Sequence, residues 1–204
     1  VRYIKGKWKK SQPGEYILLI DTSSVSDRVN MEIKPVILTG RIVRLEPLSE
    51  VHVPDLFKAG NDENIWLYMR YGKMASEDDM RAWVRMLLAF RARGTDLPFA
   101  VIHRASGRAI GSTRYLEIEP QNRALEIGGT WYSKDYQRTA VNTECKYLLL
   151  RHAFEELDCL RVQFKTDLRN ERSQRALERL GAIKEGVLRD HTILPDGFIR
   201  SSVY

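Results

Sequence analysis

The hydrophobic and polar positions of this chain change period several times, and each change marks an element. Gly40–Leu48 sets Ile42, Val43, Leu45 and Leu48 against Arg41, Arg44 and Glu46, which predicts a first strand closed by Pro47. Val53–Gly60 predicts a short helix with Leu56 and Phe57 inward and Gly60 as its stop, and the apolar patch Ile65–Tyr71 adds one or two helical turns. Ser76, followed by Glu77, Asp78 and Asp79, caps a longer helix, because acids in the first turn complement the helix dipole. Met80, Trp83, Val84, Leu87, Leu88 and Phe90 recur at helical spacing, and Gly94 ends the run.

The period then falls to two. Phe99–His103 and Ala109–Glu119 predict strands on either side of a turn at Ala105–Arg108, and Gln121–Arg123 turns into a third strand, Ala124–Tyr132. Val141–Leu157 predicts a helix, Arg161–Asp167 an alternating strand, and Asn170–Leu180 a helix stopped by Gly181. Ala182–Thr192 and Phe198 to the end form a last pair of strands about Leu194–Gly197, where Pro195 presets φ and Gly197 supplies φ > 0. The order predicts a mixed α+β sheet with a strand–helix–strand crossover between residues 124 and 167.

Composition narrows the class. Hydrophobic residues are 43% and charged residues 29% of the 204, which fits one globular domain and excludes a disordered chain or coiled coil. The best apolar run, Tyr16–Ile20, is far short of the ~18 residues a membrane span needs. Cys145 and Cys159 cannot make a disulfide framework or a Cys-rich zinc site, and His52, His103, His152 and His191 lack ligand spacing, so no metal is expected.

The net charge is +6, and half of it sits in residues 1–30, which hold six basic and three acidic residues. Elsewhere acids and bases intermix, as on solvated helix faces, which disfavours a nucleic-acid surface. The first thirty residues show no clear period, and Pro13, Gly14 and Glu15 interrupt their faint likeness to a secretory signal. Met31 opens the cleaner pattern. Residues 1–30 are therefore expected to be a leader or non-native extension, and 31–204 a single domain.

The segment Trp131–Asn142 carries the chemistry: a strand ends, a polar loop follows, and a helix begins near Val141. Unbonded N–H groups at such a helix start bind anions, above all phosphates, and the small or polar Thr139, Ala140, Asn142 and Thr143 let a ligand approach. Further on, Thr166–Ala182 contains Asn170, Ser173, Ala176, Leu180 and Gly181 in one strand–helix unit.

In this order and spacing, residues 36–204 resemble the GCN5-related N-acetyltransferase (GNAT) superfamily, in the branch that contains the ribosomal-protein N-terminal acetyltransferases of RimJ/RimL type. The family's acetyl-CoA loop reads Q/R-x-x-G-x-G/A. Gln137 matches it, while Ala140 and Asn142 stand at its two small positions. Should either position need φ > 0, its β-carbon costs roughly 1 kcal/mol. The second hallmark, Asn-x-x-Ser…Ala…Leu-Gly, is matched at Asn170, Ser173, Ala176, Leu180 and Gly181.

The resemblance implies the acyl-CoA N-acyltransferase fold, a mostly antiparallel sheet splayed in the middle and flanked by helices. It also implies a cytoplasmic acetyltransferase that uses acetyl-CoA and an amine acceptor, as a monomer or homodimer without a membrane partner. The diphosphate would rest on the amides of Arg138, Thr139, Ala140, Val141, Asn142 and Thr143. The pantetheine arm would pair with the backbone of Gly129–Tyr132, including Trp131 and Tyr132, and Asn170 would also touch the cosubstrate. Gly128 and Gly129 suit either a bulge or a close ligand.

The attacking amine must be neutral. An α-amino group, with a pKa of about 7.7–8.0, is closer to this at pH 7 than lysine, at about 10.4. Glu126 is the candidate general base, with Glu117 and His191 in reserve, and Ser173 would protonate the departing thiolate. Asn170 also reads as a plain helix cap, and Cys145 as core packing. Trp66, Trp83 and Tyr71 are candidates to line the acceptor pocket, with core packing favoured for Trp83. A non-catalytic CoA-binding module and a ribosome- or nucleic-acid-associated protein stand as alternatives. Relatives continue past the strand in which Tyr204 lies, so a shortened C-terminus is expected.

Overall fold

The computed structural model describes residues 6–12, 15–20 and 31–204. Two strands, β1 (Gly6–Gln12) and β2 (Glu15–Ile20), pair antiparallel as a hairpin of their own. The expectation of a leader over 1–30 falls partly on residues 1–5, 13–14 and 21–30, which lie outside the described residues.

From Met31 the chain builds a six-stranded sheet in the order β3 (Leu38–Thr39), β4 (Val43–Pro47), β5 (Leu97–His103), β6 (Arg108–Glu119), β7 (Ala124–Tyr132) and β8 (Arg161–Gln163). All pairs are antiparallel except β7–β8. Helices α1 (Val53–Ala59) and α2 (Glu77–Ala92) cover one face, and α3 (Ala140–Arg151) covers the other. Strand β5 explains its own sequence. Leu97, Phe99 and Val101 join the α3-side core, while Ala100 and Ile102 join the α1/α2-side core. A strand buried on both faces reads as a continuous apolar run instead of an alternation.

The predicted caps are present. Ser76 Oγ accepts from Asp79 N–H while the Asp79 carboxylate accepts from Ser76 N–H, a reciprocal capping box. Gly60 and Gly181 follow α1 and α4 (Glu171–Arg179) as expected, Gly181 at φ +83°.

Besides the strand expected over Ala182–Thr192, which begins only at Val187, three boundaries differ from the sequence pattern. The strand expected over Gly40–Leu48 begins only at Val43, and the short β3 precedes it unforeseen, because the chain turns at Gly40–Ile42, where the Glu144 side chain of α3 accepts the N–H groups of Arg41, Ile42 and Val43. The predicted helix Val141–Leu157 is α-helical only to Arg151. It then widens into a π turn, His152–Glu156, where Leu157 N–H bonds His152 O at 3.0 Å. There the buried Tyr115 hydroxyl donates to the Leu149 carbonyl at 2.6 Å, inserting a side chain into the helical ladder.

The third difference shapes the site. The single strand expected over Arg161–Asp167 is shared between two sheets. β8 pairs in parallel with β7 at only three positions, ending at Glu126 opposite Gln163. The chain then departs through Phe164 and Lys165 into β9 (Thr166–Asp167), which pairs with β11 (Ile199–Val203) in a three-stranded sheet completed by β10 (Val187–Ile193). Beyond Glu126 the far edge of β7 has no strand partner among the described residues.

Candidate active site

A cleft of about 560 Å³ opens where β7 and β9 diverge. Thr139, Asn142, Thr143 and Lys146 line it from the start of α3, and their spacing puts all four on one helix face. Asn170, Ser173, Ala176 and Leu177 line it from α4. Its other end is closed by Arg70, Tyr71, Arg114, Lys165 and Arg200 around Glu126.

At one end of the cleft lies the start of α3. Thr139 is the N-cap of α3, and its Oγ1 accepts from Val141 N–H at 3.3 Å. The N–H groups of Arg138, Thr139 and Ala140 donate to nothing among the described residues. The left-handed residue is Arg138, at φ +59°, while Ala140 and Asn142 are helical, so their β-carbons cost nothing there. Gln137 ties the two walls together. Its Nε2 donates to Tyr132 O at 3.0 Å, and its Oε1 accepts from Arg172 of α4 at 2.8 Å.

Some sequence-predicted residues are placed elsewhere or largely buried. The Val141 side chain is buried in the α3-side core, and Ala140 is exposed outside the cleft. Trp131 is buried against Trp66 and Trp83, at ring distances of 5.1 and 6.0 Å. Tyr132 is buried too, with its hydroxyl 3.3 Å from Asn142 Oδ1. Of the three aromatics suggested for the acceptor side, only Tyr71 lines the cleft, while Trp66 and Trp83 are core. Cys145 is core as well, and burial pushes its thiol up to about 12, far from nucleophilic.

Gly128 and Gly129 form the bulge. The β6–β7 register shifts beside them, Gly129 has φ +57°, and a Cβ on Gly128 would stand 2.9 Å from Glu126 Oε1. Asn170 caps α4, its Oδ1 accepting Ser173 N–H at 3.1 Å, and both residues face the cleft. The two roles considered for Asn170 are therefore compatible in place.

Glu126 is 2% exposed at the point where the sheet parts. Lys165 Nζ lies 3.2 Å from its Oε2 and 2.7 Å from Oε1 of Glu117. Burial, joined by the Glu117 charge, raises the Glu126 pKa above the ordinary carboxylate value, and Lys165 works against both. His191, the other reserve, sits on β10 with Nδ1 3.1 Å from Ser202 Oγ, and burial with the nearby Lys165, Arg70 and Arg200 lowers its pKa.

Sequence reasoning missed Lys146, Lys165, Arg114 and Arg200. Lys146 Nζ is buried on α3 and donates to Thr130 Oγ1 at 2.7 Å, and burial lowers its pKa to about 8. Its signal was its position, seven residues after the cap on the polar face of the helix. Arg114, buried with Asp96 at 3.1 Å, had none, since the partner is remote in sequence. Among the described residues no group of three His, Cys, Asp or Glu is placed to hold a metal, and no helix is long and apolar enough to cross a membrane.

This arrangement joins a helix start with unbonded N–H groups, an open strand edge and a buried carboxylate along one cleft. The residues present fit acetyl-CoA: unbonded N–H donors for a diphosphate, an unpaired strand edge for an amide-bearing arm, and small Ala176 on the wall. Comparison with known proteins agrees. The acetyltransferase (GNAT) domain family matches residues 43–183. The ribosomal-protein-serine acetyltransferase of Escherichia coli (strain K12) is 25% identical over 165 residues, spanning 79% of this chain and 90% of that one. A solved acetyltransferase structure from T. thermophilus is 41% identical, covering 85% of this chain and 89% of its own, with a TM-score of 0.76. The GCN5-related N-acetyltransferase from Brucella melitensis is 29% identical, covering 84% and 77%, with a TM-score of 0.78. The chain belongs to the GNAT family of acetyltransferases, enzymes that move an acetyl group from acetyl-CoA to an amine.

Proposed function

We propose that this chain acetylates a primary amine, a protein N-terminus or a small-molecule amine, by direct attack on the thioester, with Glu126 as general base and Ser173 as general acid. The observation that carries the reading is the place of Glu126: a buried carboxylate at the parting of β7 and β8, on the same cleft as the unbonded amides of α3. Arg138, Thr139 and Ala140 hold the diphosphate through backbone N–H groups, and the open edge of β7 pairs with the amides of the arm.

An incoming ammonium gives one proton to the Glu126 carboxylate. Its nitrogen then attacks the carbonyl carbon, the C–S bond breaks, and the thiolate takes a proton from the Ser173 hydroxyl, which solvent restores. The nitrogen sheds its extra proton to water, and protonated Glu126 returns its own to solvent, so that one proton in all is released with the CoA thiol. A carboxylate with a raised pKa is the better base for this, and its burial keeps competing water away. The N-terminal acceptor is suggested by the Escherichia coli relative, whose name specifies a ribosomal-protein serine.

Two measurements test the reading. Titration calorimetry with CoA should show one site, weakened when Thr139 and Gln137 are changed to Ala. Thiol release from acetyl-CoA with a panel of amines should show turnover. Tight CoA binding with no turnover on any amine would leave a non-catalytic CoA module instead.

A further inference from the structure

The acceptor end of the cleft carries more positive charge than its own carboxylates match. Lys165 is shared by Glu117 and Glu126, and Arg114 is paired with Asp96. Asp167 is engaged by Arg169, which donates from Nε to Oδ1 at 3.0 Å and from Nη2 to Oδ2 at 2.9 Å. Two guanidiniums are matched less well. Arg70 donates to Thr192 Oγ1 at 3.3 Å, and among the described residues no carboxylate lies within ion-pair distance of it. Arg200 is 6% exposed. Its Nη1 donates to Tyr68 O at 3.4 Å, and its Nε, 3.9 Å from the already engaged Asp167, has no hydrogen-bond partner.

A buried guanidinium donor without a hydrogen bond is costly, and the long contact to an already engaged Asp167 offsets little of that cost. Burial first, and the like charge of Arg70 besides, disfavour ionised Arg200 more than Asp167 favours it, and the field of Arg70 also reaches Glu126. Both arginines line the same cleft as Glu126, so a group that met them would lie beside the nitrogen that Glu126 deprotonates.

We infer that Arg200 and Arg70 form a carboxylate-binding subsite, and that the acceptor is an amine bearing a carboxylate close to its reacting nitrogen. This rests on the transferase reading and narrows its substrate class. A guanidinium is suited to this task, since its fork of donors matches the two carboxylate oxygens. The carboxylate has two sources: the α-carboxylate of a free amino acid, or an acidic side chain beside the N-terminus of a peptide.

The test is thiol release from acetyl-CoA by the full chain with matched acceptors: serine against serinamide, and Ser-Asp-Ala-Ala-amide against Ser-Asn-Ala-Ala-amide. One acid member should exceed its uncharged partner in kcat/KM by about tenfold to a hundredfold, the range for a hydrogen bond to a charged group. The pair that shows the preference identifies the source. Arg200→Gln should bring that ratio close to one, Arg200→Lys should retain part of it, and Arg70→Gln, at an exposed position, should lower it in a folded protein. Ratios near one for both pairs in the unaltered chain would overturn the subsite while leaving the transferase intact. No thiol release with any of the four, or with other amines, would overturn the transferase reading and this inference with it.

Discussion

Lys165 holds two carboxylates at once, and that sharing sets the chemistry of Glu126. Its Nζ is closer to Glu117, at 2.7 Å, than to Glu126, at 3.2 Å. Glu126 is thus the less well compensated of the pair, and its raised pKa follows from burial first. A base must be ionised to work, so kcat/KM should climb as pH rises through the Glu126 pKa. Glu126→Gln should cut kcat about a hundredfold to a thousandfold and flatten that climb, as read from the pH–rate profile. A retained climb would assign the base elsewhere. Lys146 offers a second reading at this scale. Its folded pKa of about 8 lies below the 10.5 of a free lysine, so the unfolded chain binds the proton more tightly. The cost of burying the cation is full below pH 8 and fades as pH rises towards 10.5. Lys146→Met should therefore stabilise the fold at pH 7, by at most about 3 kcal/mol, and gain nothing near pH 11, as measured by urea unfolding at both values.

Between elements, one side chain of α3 secures the turn before β4. Glu144 accepts N–H bonds from Arg41 at 2.7 Å and from Ile42 and Val43 at 2.8 Å each. Burial raises its pKa, but the three donors outweigh this and hold the carboxyl below its usual value. A depressed carboxylate contributes stability above its unfolded pKa and loses it as pH falls through the folded one. Glu144→Ala should cost about 1–3 kcal/mol at pH 7 and less in acid, by unfolding at pH 7 and pH 3. Gly40→Ala should also destabilise, since a Cβ there meets Glu144 Cδ at 2.5 Å. None of this was legible beforehand: the partners are 101 to 103 residues apart, and no local period reports a distant acceptor. Local rules did reveal the helices with their caps, the meander, the α3 start and Glu126 as an odd carboxylate in an apolar strand. They could not reveal that Arg161–Asp167 changes sheets, because the alternation of RVQFKTD is the same on either side of the change. Arg200 was hidden for the same reason, as an ordinary charge in an ordinary strand.

Across the whole molecule, the cleft is formed by elements that share no local contacts in sequence, from residue 64 to residue 200. A ligand that bridges them should stabilise the entire fold. Acetyl-CoA at a hundred times its Kd should add about 2.7 kcal/mol, which for a domain of this size is a rise in Tm of roughly 5–10 °C by calorimetry. The same shift in a protein reduced to residues 31–204 would support a domain that needs nothing from the first thirty residues.

Among the described residues, the run of β7 from Gly128 to Trp131 is bordered by β6 alone. An unclaimed border inside a protein leaves amide hydrogens free to trade with solvent deuterium. In hydrogen-exchange mass spectrometry that stretch should label ahead of the flanking strands. Once a pantetheine chain lies along it, uptake there should slow, which makes the gap its own reporter of occupancy.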